Sequence, residues 1–191
     1  DLAIEAVVER LSVKQAVFAA LQPLLKPNAV LATNTSSLSV GAIATGLLRP
    51  DRLVGLHFFN PAPVQAFVEV VRTVVTDPSV IDDLVAMARS LGKEPVVIGD
   101  RAGFIANALL FGYLNQAVSM YEANYASRED IDAAMRLGVN YPRGPLAWAD
   151  AVGVERIRTV LAHLNQFYGE DRYRVSPLIQ QAVFAGRSLH D

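Results

Sequence analysis

Arg52 to Glu69 reads RLVGLHFFNPAPVQAFVE, and the parsing of this stretch decides the fold. Leu53 to Phe59 is an apolar run that reads as a buried strand carrying one ionisable side chain, His57. Asn60-Pro61-Ala62-Pro63 must break that strand, because proline lacks an amide donor and fixes φ. Glu69 then returns on a second short strand. A carboxylate able to meet His57 across such a turn would fix the ring's tautomer and favour the imidazolium formed when the ring takes a proton. A lone histidine on an apolar strand is more often a satisfied core residue, and a lone Glu69 more often a solvent-facing carboxylate on an edge strand. The pair gains meaning only from the rest of the chain.

On the N-terminal side, DLAIEAVV (Asp1 to Val8) is a strand candidate, and Ser12 is a plausible N-cap for an amphipathic helix through Leu25, closed by Lys26-Pro27-Asn28. Ala29 to Thr33 reads as another strand. A helix starting around Ser37 or Ser39 spans Val40 to Leu47, and Arg49-Pro50-Asp51 leads into the His57 strand. On the C-terminal side, Asp77 is an N-cap with Pro78 at the first helical position; that helix runs to Leu91, where Gly92 stops it, and Pro95 to Ile98 forms the last strand. Alternation of strand and helix predicts a parallel or mixed sheet.

From Gly103 the apolar period becomes helical and stays so. Gly103 to Asn124 predicts one long apolar helix, Ser127 caps another over Arg128 to Leu137 with Asp130 as a weak capping-box partner, and Leu146 to Val152 and Val154 to Phe167 supply two more. Ile105, Leu109, Leu110, Tyr113, Leu114, Ala117 and Met120 cover more than one stripe of the first helix. Burial on several sides, including against a twin subunit, is therefore expected.

Composition narrows the classes. The 191 residues are 52% hydrophobic, enough for a sizeable core in one or two domains. A net charge of −2 with no basic run longer than two residues gives no support for nucleic-acid binding. The absence of cysteine removes disulfides, thiolate catalysis and thiolate metal sites together, and no metal is expected. No apolar stretch reaches the roughly 18 to 20 residues of a bilayer span, so neither a membrane association nor a compartment other than the cytosol is indicated.

NTSSL (Asn34 to Leu38), GLHFFNPAP (Gly55 to Pro63), VEVV (Val68 to Val71) and GFIAN (Gly103 to Asn107), in this order, resemble the L-3-hydroxyacyl-CoA dehydrogenase family. GVNYPRGPLAW (Gly138 to Trp148) is most similar to its 3-hydroxybutyryl-CoA and 3-hydroxyadipyl-CoA branch. The resemblance implies an α/β part followed by an all-α part: residues 1–100 as the C-terminal half of a Rossmann-like NAD-binding domain, and 101–191 as a helical substrate and dimerisation domain. It implies NAD-dependent interconversion of an L-3-hydroxyacyl-CoA and a 3-oxoacyl-CoA, in fatty-acid or aromatic-acid degradation, by a homodimer.

Role by role, the resemblance makes His57 the general acid/base, Glu69 its orienting partner, Ser36 a group beside substrate and nicotinamide, and Asn107 a contact to the substrate carbonyl or hydroxyl. Glu9, Lys14, Ser36, Asn34 and Asn60 are the implied cofactor side. Bland alternatives stand beside these, since Ser36 or Ser37 could cap the following helix and Asn107 its own. Three departures put acyl-chain and CoA contacts in doubt: Asn107-Ala108 where the family often has Asn-Arg, Gln65-Ala66 where it has Met-Lys, and Tyr141-Pro142-Arg143-Gly144 where it has Tyr-Pro-Met-Gly.

No G-x-G-x-x-G occurs in these residues, although a dinucleotide-binding domain normally opens on that turn. The expectation is therefore that the first half of the cofactor domain is missing, and that Asp1 to Val8 forms an edge strand needing cover. A rival reading is a cofactor-less, dehydrogenase-derived module kept for dimerisation. A third is a hydratase-like lyase using His57 and Glu69 as acid and base.

Overall fold

A computed structural model describes residues 1–189. The chain divides into two compact units, Asp1–Phe104 and a second beginning at Ile105. Ala102 and Phe104 are buried, and Phe104 packs with the core of the first unit, which carries that unit four residues past the expected boundary at 100.

In the first unit the elements are β1 (Leu2–Glu5), α1 (Leu11–Leu21), β2 (Val30–Thr33), α2 (Val40–Ala44), β3 (Leu53–Phe58), β4 (Phe67–Arg72), α3 (Pro78–Ser90) and β5 (Glu94–Gly99). They form one sheet in the order β1-β2-β3-β4-β5. Neighbours are parallel except β3 and β4, which are antiparallel. The connection explains the exception: the turn after Phe58 has no room for a crossover helix, so β4 must run back along β3. One face of the sheet (Val30, Ala32, Val54, Leu56, Val68, Val70) packs on Val80, Ile81, Leu84 and Ala88 of α3. The other (Leu31, Leu53, Val71) packs on Phe18 of α1, Val40 and Ile43 of α2, and Phe104.

Two helix boundaries differ from expectation. α1 starts at Leu11 after Arg10, which makes no side-chain cap; Ser12 lies inside the first turn, and the helix is registered instead by the inward-turned Lys14. It ends at Leu21 rather than Leu25, where Pro23 forces a short 3₁₀ turn, Gln22–Leu24. α2 is shorter than Val40 to Leu47 and is capped by Ser39, whose hydroxyl accepts from the Ala42 amide. Asp77 caps α3 as the sequence predicts, accepting from the Ser79 amide at 2.9 Å. Gly55 is required: a Cβ there would lie 2.7 Å from Cβ of Val71 and 2.9 Å from Cγ2 of Val40. Its absence lets α2 press against β3 beside the His57 strand end.

The second unit is helical, with α4 (Ala106–Glu122), α5 (Arg128–Ala133), α6 (Pro145–Val152), α7 (Val154–Tyr168) and α8 (Pro177–Ala185). α4 does not begin at Gly103, because Gly103 and Phe104 both take left-handed backbone (φ 73° and 53°) and cannot enter a right-handed turn. α5 is capped by Ser127, which accepts from the Asp130 amide at 3.1 Å, and it continues without a break as a π-helical turn over Ala134–Gly138, so the helical run reaches Leu137 as expected but with a wider last turn. α8 has its own signals in Ser176, which accepts from the Leu178 amide, and Gly186, left-handed at φ 64°. Asn115 of α4 ties the α7–α8 connection down by donating to the carbonyls of Arg172 and Arg174 and accepting from the Ser176 amide.

The apolar surplus on α4 is largely absorbed within its own unit. Leu114 is fully buried, and Tyr113 and Met120 line an apolar hollow of about 320 Å³ with Ile131, Met135 and Pro145. Leu114 is therefore a core residue and no part of an exposed dimer stripe; Leu109, 68% exposed, is the side chain that points away. No described helix is long and apolar enough to cross a membrane.

Candidate active site

Pairing register creates the central feature. His57 and Glu69 are direct cross-strand partners on β3 and β4, so their side chains leave the same face of the sheet. Nδ1 of His57 lies 2.7 Å from Oε2 of Glu69. Both residues are buried, Glu69 completely. A carboxylate at Nδ1 assigns the ring's proton to that nitrogen and leaves Nε2 as the one able to accept a proton from a bound molecule. The ring is flanked by Phe59 and Phe104, with centroids 4.5 and 5.6 Å away. The dyad thus sits in an apolar wall where its mutual attraction is little screened.

The second feature is the loop after β2. Asn34 accepts the Phe58 amide at 2.9 Å through Oδ1, which fastens the start of this loop to the His57 strand. Glu9, in the loop after β1, then gathers Thr35, Ser36 and Ser37 on a single oxygen. Its Oε1 accepts from Thr35 Oγ1 (2.6 Å), the Ser36 amide (2.9 Å), the Ser37 amide (3.0 Å) and Ser37 Oγ (3.1 Å), with Ser36 Oγ at 3.4 Å. Its other oxygen lies 3.4 Å from Lys14 Nζ.

Lys14 is 1% exposed. Its ammonium is held at 3.0 Å by each carboxylate oxygen of Glu5 and at 3.3 Å by the Val7 carbonyl, and Thr33 donates its hydroxyl to Glu5. Glu5, Thr33 and Thr35 were not among the residues the sequence singled out. The available signal was a carboxylate closing an apolar strand nine residues before a lysine, which spacing alone does not turn into a contact.

Burial by itself would push the Glu9 carboxyl up, but the bonds from Thr35, Ser36 and Ser37 and the charge of Lys14 outweigh it and hold the group below the ordinary 4.5. A depressed folded-state value stabilises the fold fully above the unfolded value and loses that stabilisation as pH falls through the lower, folded one. Acidification below about pH 4 is expected to loosen the Thr35–Ser37 loop before the α3 face of the sheet. Amide exchange of Ser36 and Ser37 against Val80 and Leu84 checks this; equal loss of protection at both places would contradict it.

These groups share one edge of the sheet. Glu9 follows β1, Asn34 to Ser37 follow β2, His57 is next to last in β3, and exposed Asn60 follows β3. This is the carboxyl end of the parallel strands, where open α/β sheets bind ligands. Asn107 belongs to the second unit, in the first turn of α4, and is 8% exposed. Among the described residues no group of three or more His, Asp or Glu is placed to hold a metal.

A family model for the 3-hydroxyacyl-CoA dehydrogenase NAD-binding domain matches residues 1–101, and one for the C-terminal domain of the same enzymes matches residues 103–189. A 3-hydroxybutyryl-CoA dehydrogenase of Clostridioides difficile is 40% identical over 187 residues, covering 98% of this chain and 66% of that protein. The mitochondrial hydroxyacyl-coenzyme A dehydrogenase of Homo sapiens is 41% identical over 184 residues, covering 96% and 59%. Among solved structures, FadB2 of M. tuberculosis superposes with a TM-score of 0.93 at 43% identity, covering 97% of this chain and 66% of that one. The (S)-3-hydroxybutyryl-CoA dehydrogenase PaaH1 of Ralstonia eutropha gives 0.94 at 35%, with the same coverage. The chain thus spans about two thirds or less of the length of these relatives. The expectation of a missing first half of the sheet domain is not borne out by the NAD-binding match itself, which runs over residues 1–101.

Proposed function

Because the chain belongs to the 3-hydroxyacyl-CoA dehydrogenase family, we propose that it carries the catalytic histidine side of an NAD-dependent oxidoreductase interconverting an L-3-hydroxyacyl-CoA and a 3-oxoacyl-CoA. The observation that carries this reading is the buried His57–Glu69 pair fastened through Asn34 to the loop that bears Ser36.

In the oxidative direction Nε2 of His57 takes the proton of the substrate's 3-hydroxyl while Glu69 stabilises the resulting imidazolium. The Ser36 hydroxyl hydrogen-bonds the same oxygen. The chemistry that bound NAD would supply there is that of hydride acceptor for the carbon bearing this oxygen. The residues present fit the nicotinamide end of that cofactor: polar groups of Glu9, Asn34, Ser36 and Asn60 cluster at the carboxyl ends of parallel strands. Lys14 serves from beneath, through Glu9. The glycine-rich phosphate turn is not among these 191 residues.

Oxidation of NADH by the full chain in the presence of acetoacetyl-CoA tests the reading. Acetoacetyl-CoA-dependent consumption of NADH is expected; a folded chain that binds both and consumes neither overturns it. The same reading makes the protein a cytosolic homodimer whose second unit meets its copy through Leu109 rather than Leu114. Sedimentation at micromolar concentration is expected to give twice the chain mass, and a Leu109→Glu chain that still runs as a dimer would move the interface elsewhere.

A further inference from the structure

The loop that carries Ser36 is held at its far end by a carboxylate that the dyad does not use. Asp100, directly after β5, accepts the Ser39 hydroxyl (2.8 Å) and the Gly41 amide (2.7 Å) on Oδ2, and the Val40 amide (2.9 Å) on Oδ1. These partners lie about sixty positions earlier in the chain, so the contact exists only in the folded sheet. Asp100 is itself anchored, because its amide donates to the Arg72 carbonyl at 3.0 Å and so extends the β4–β5 ladder by one rung. Little space remains around it: a Cβ on Gly41 would stand 3.2 Å from Oδ2.

We infer that Asp100 is a positioning residue for Ser36. Glu9 fixes the near end of the loop to the β1 side of the site. Asn34 fixes its entry to β3, the strand of His57. Asp100 fixes its exit to the end of β5, which is paired along β4, the strand of Glu69. Three independent tethers thus refer the Ser36 hydroxyl to the same frame that holds the dyad, and the loop has no freedom to relax when one strand shifts. A displacement of about 1 Å at a reacting group costs up to about 10²-fold in rate, which is what such a tether prevents. The inference rests on the proposed dehydrogenase reading, in which Ser36 touches the substrate oxygen.

The test is a double-mutant cycle in the full chain, assayed with acetoacetyl-CoA and NADH. Asp100→Ala is expected to lower kcat by about 10-fold or more while both KM values stay within about two-fold. In a Ser36→Ala background the same change is expected to add little further loss, because Asp100 acts through the hydroxyl already removed. Asp100→Asn, which keeps the volume and one good acceptor, should restore part of the rate and gives the same cycle if Asp100→Ala does not fold. Undiminished kcat in a folded variant, or an equal loss in both backgrounds, overturns the inference. Amide exchange distinguishes its failure from that of the dehydrogenase reading. Protection lost at Ser36, Ser37, Val40 and Gly41 but kept in α3 supports the tether even if wild-type turnover is absent, and protection unchanged at those four amides refutes it.

Discussion

Replacing His57 by glutamine is expected to lower kcat for a 3-oxoacyl-CoA by about 10²-fold or more, the scale of a general acid/base, with little change in KM. That ratio corresponds to roughly 3 kcal/mol of transition-state stabilisation. The size follows from the geometry: with Nδ1 committed to Glu69 at 2.7 Å, Nε2 is the only ring atom able to move the proton, and glutamine has no group that both accepts and returns one. Glu69→Gln should act in the same direction, since an amide in place of the carboxylate no longer selects the Nδ1–H tautomer or stabilises the imidazolium. Single-turnover measurement with NADH separates the chemical step from binding. Near-normal turnover in His57→Gln would place the proton carrier elsewhere.

Lys14→Met is expected to destabilise the fold by about 3–5 kcal/mol, the usual cost of leaving one member of a buried ion pair unpaired. Glu5 is 4% exposed, and its remaining partners, the Val7 amide and the Thr33 hydroxyl, are neutral. Glu9 would lose its ion-pair partner as well. The double variant Glu5→Gln/Lys14→Met should recover most of the loss, because no buried charge is then stranded. Urea unfolding of the four chains of this cycle measures the coupling. If Lys14 instead contacted cofactor directly, Lys14→Met would raise KM for NADH and leave the urea midpoint where it was.

The sequence carried a good deal of this. The apolar run through His57, the proline turn and the return at Glu69 specified a strand pair, because a turn too short for a crossover leaves antiparallel pairing as the only outcome. The register that makes His57 and Glu69 cross-strand partners was implicit in their equal distance from the turn. Asp77-Pro78 at the head of α3 and Ser127 before α5 act locally, within three residues, and local effects are what a linear reading captures. Ser12 carries a capping signal that the burial of Lys14 two residues later overrides. Gly103 reads as a helix start in the sequence, but its positive φ makes it, with Phe104, a stop, and α4 begins after it.

The chain alone therefore determined the order of strands and helices as far as α7, the two-part organisation and the dyad, whereas α8 (Pro177–Ala185) came only with the structure. Each depends on neighbours in sequence or on the strict period of two along a strand. Tertiary structure alone decided that Leu114 is core and Leu109 surface, that Lys14 lies beneath Glu9 in a buried pair with Glu5, and that Asp100 reaches back to Ser39–Gly41. Those are contacts between segments brought together by sheet order. A charged side chain's partner across such a distance is set by which strand ends become adjacent, a property that no window of the sequence contains.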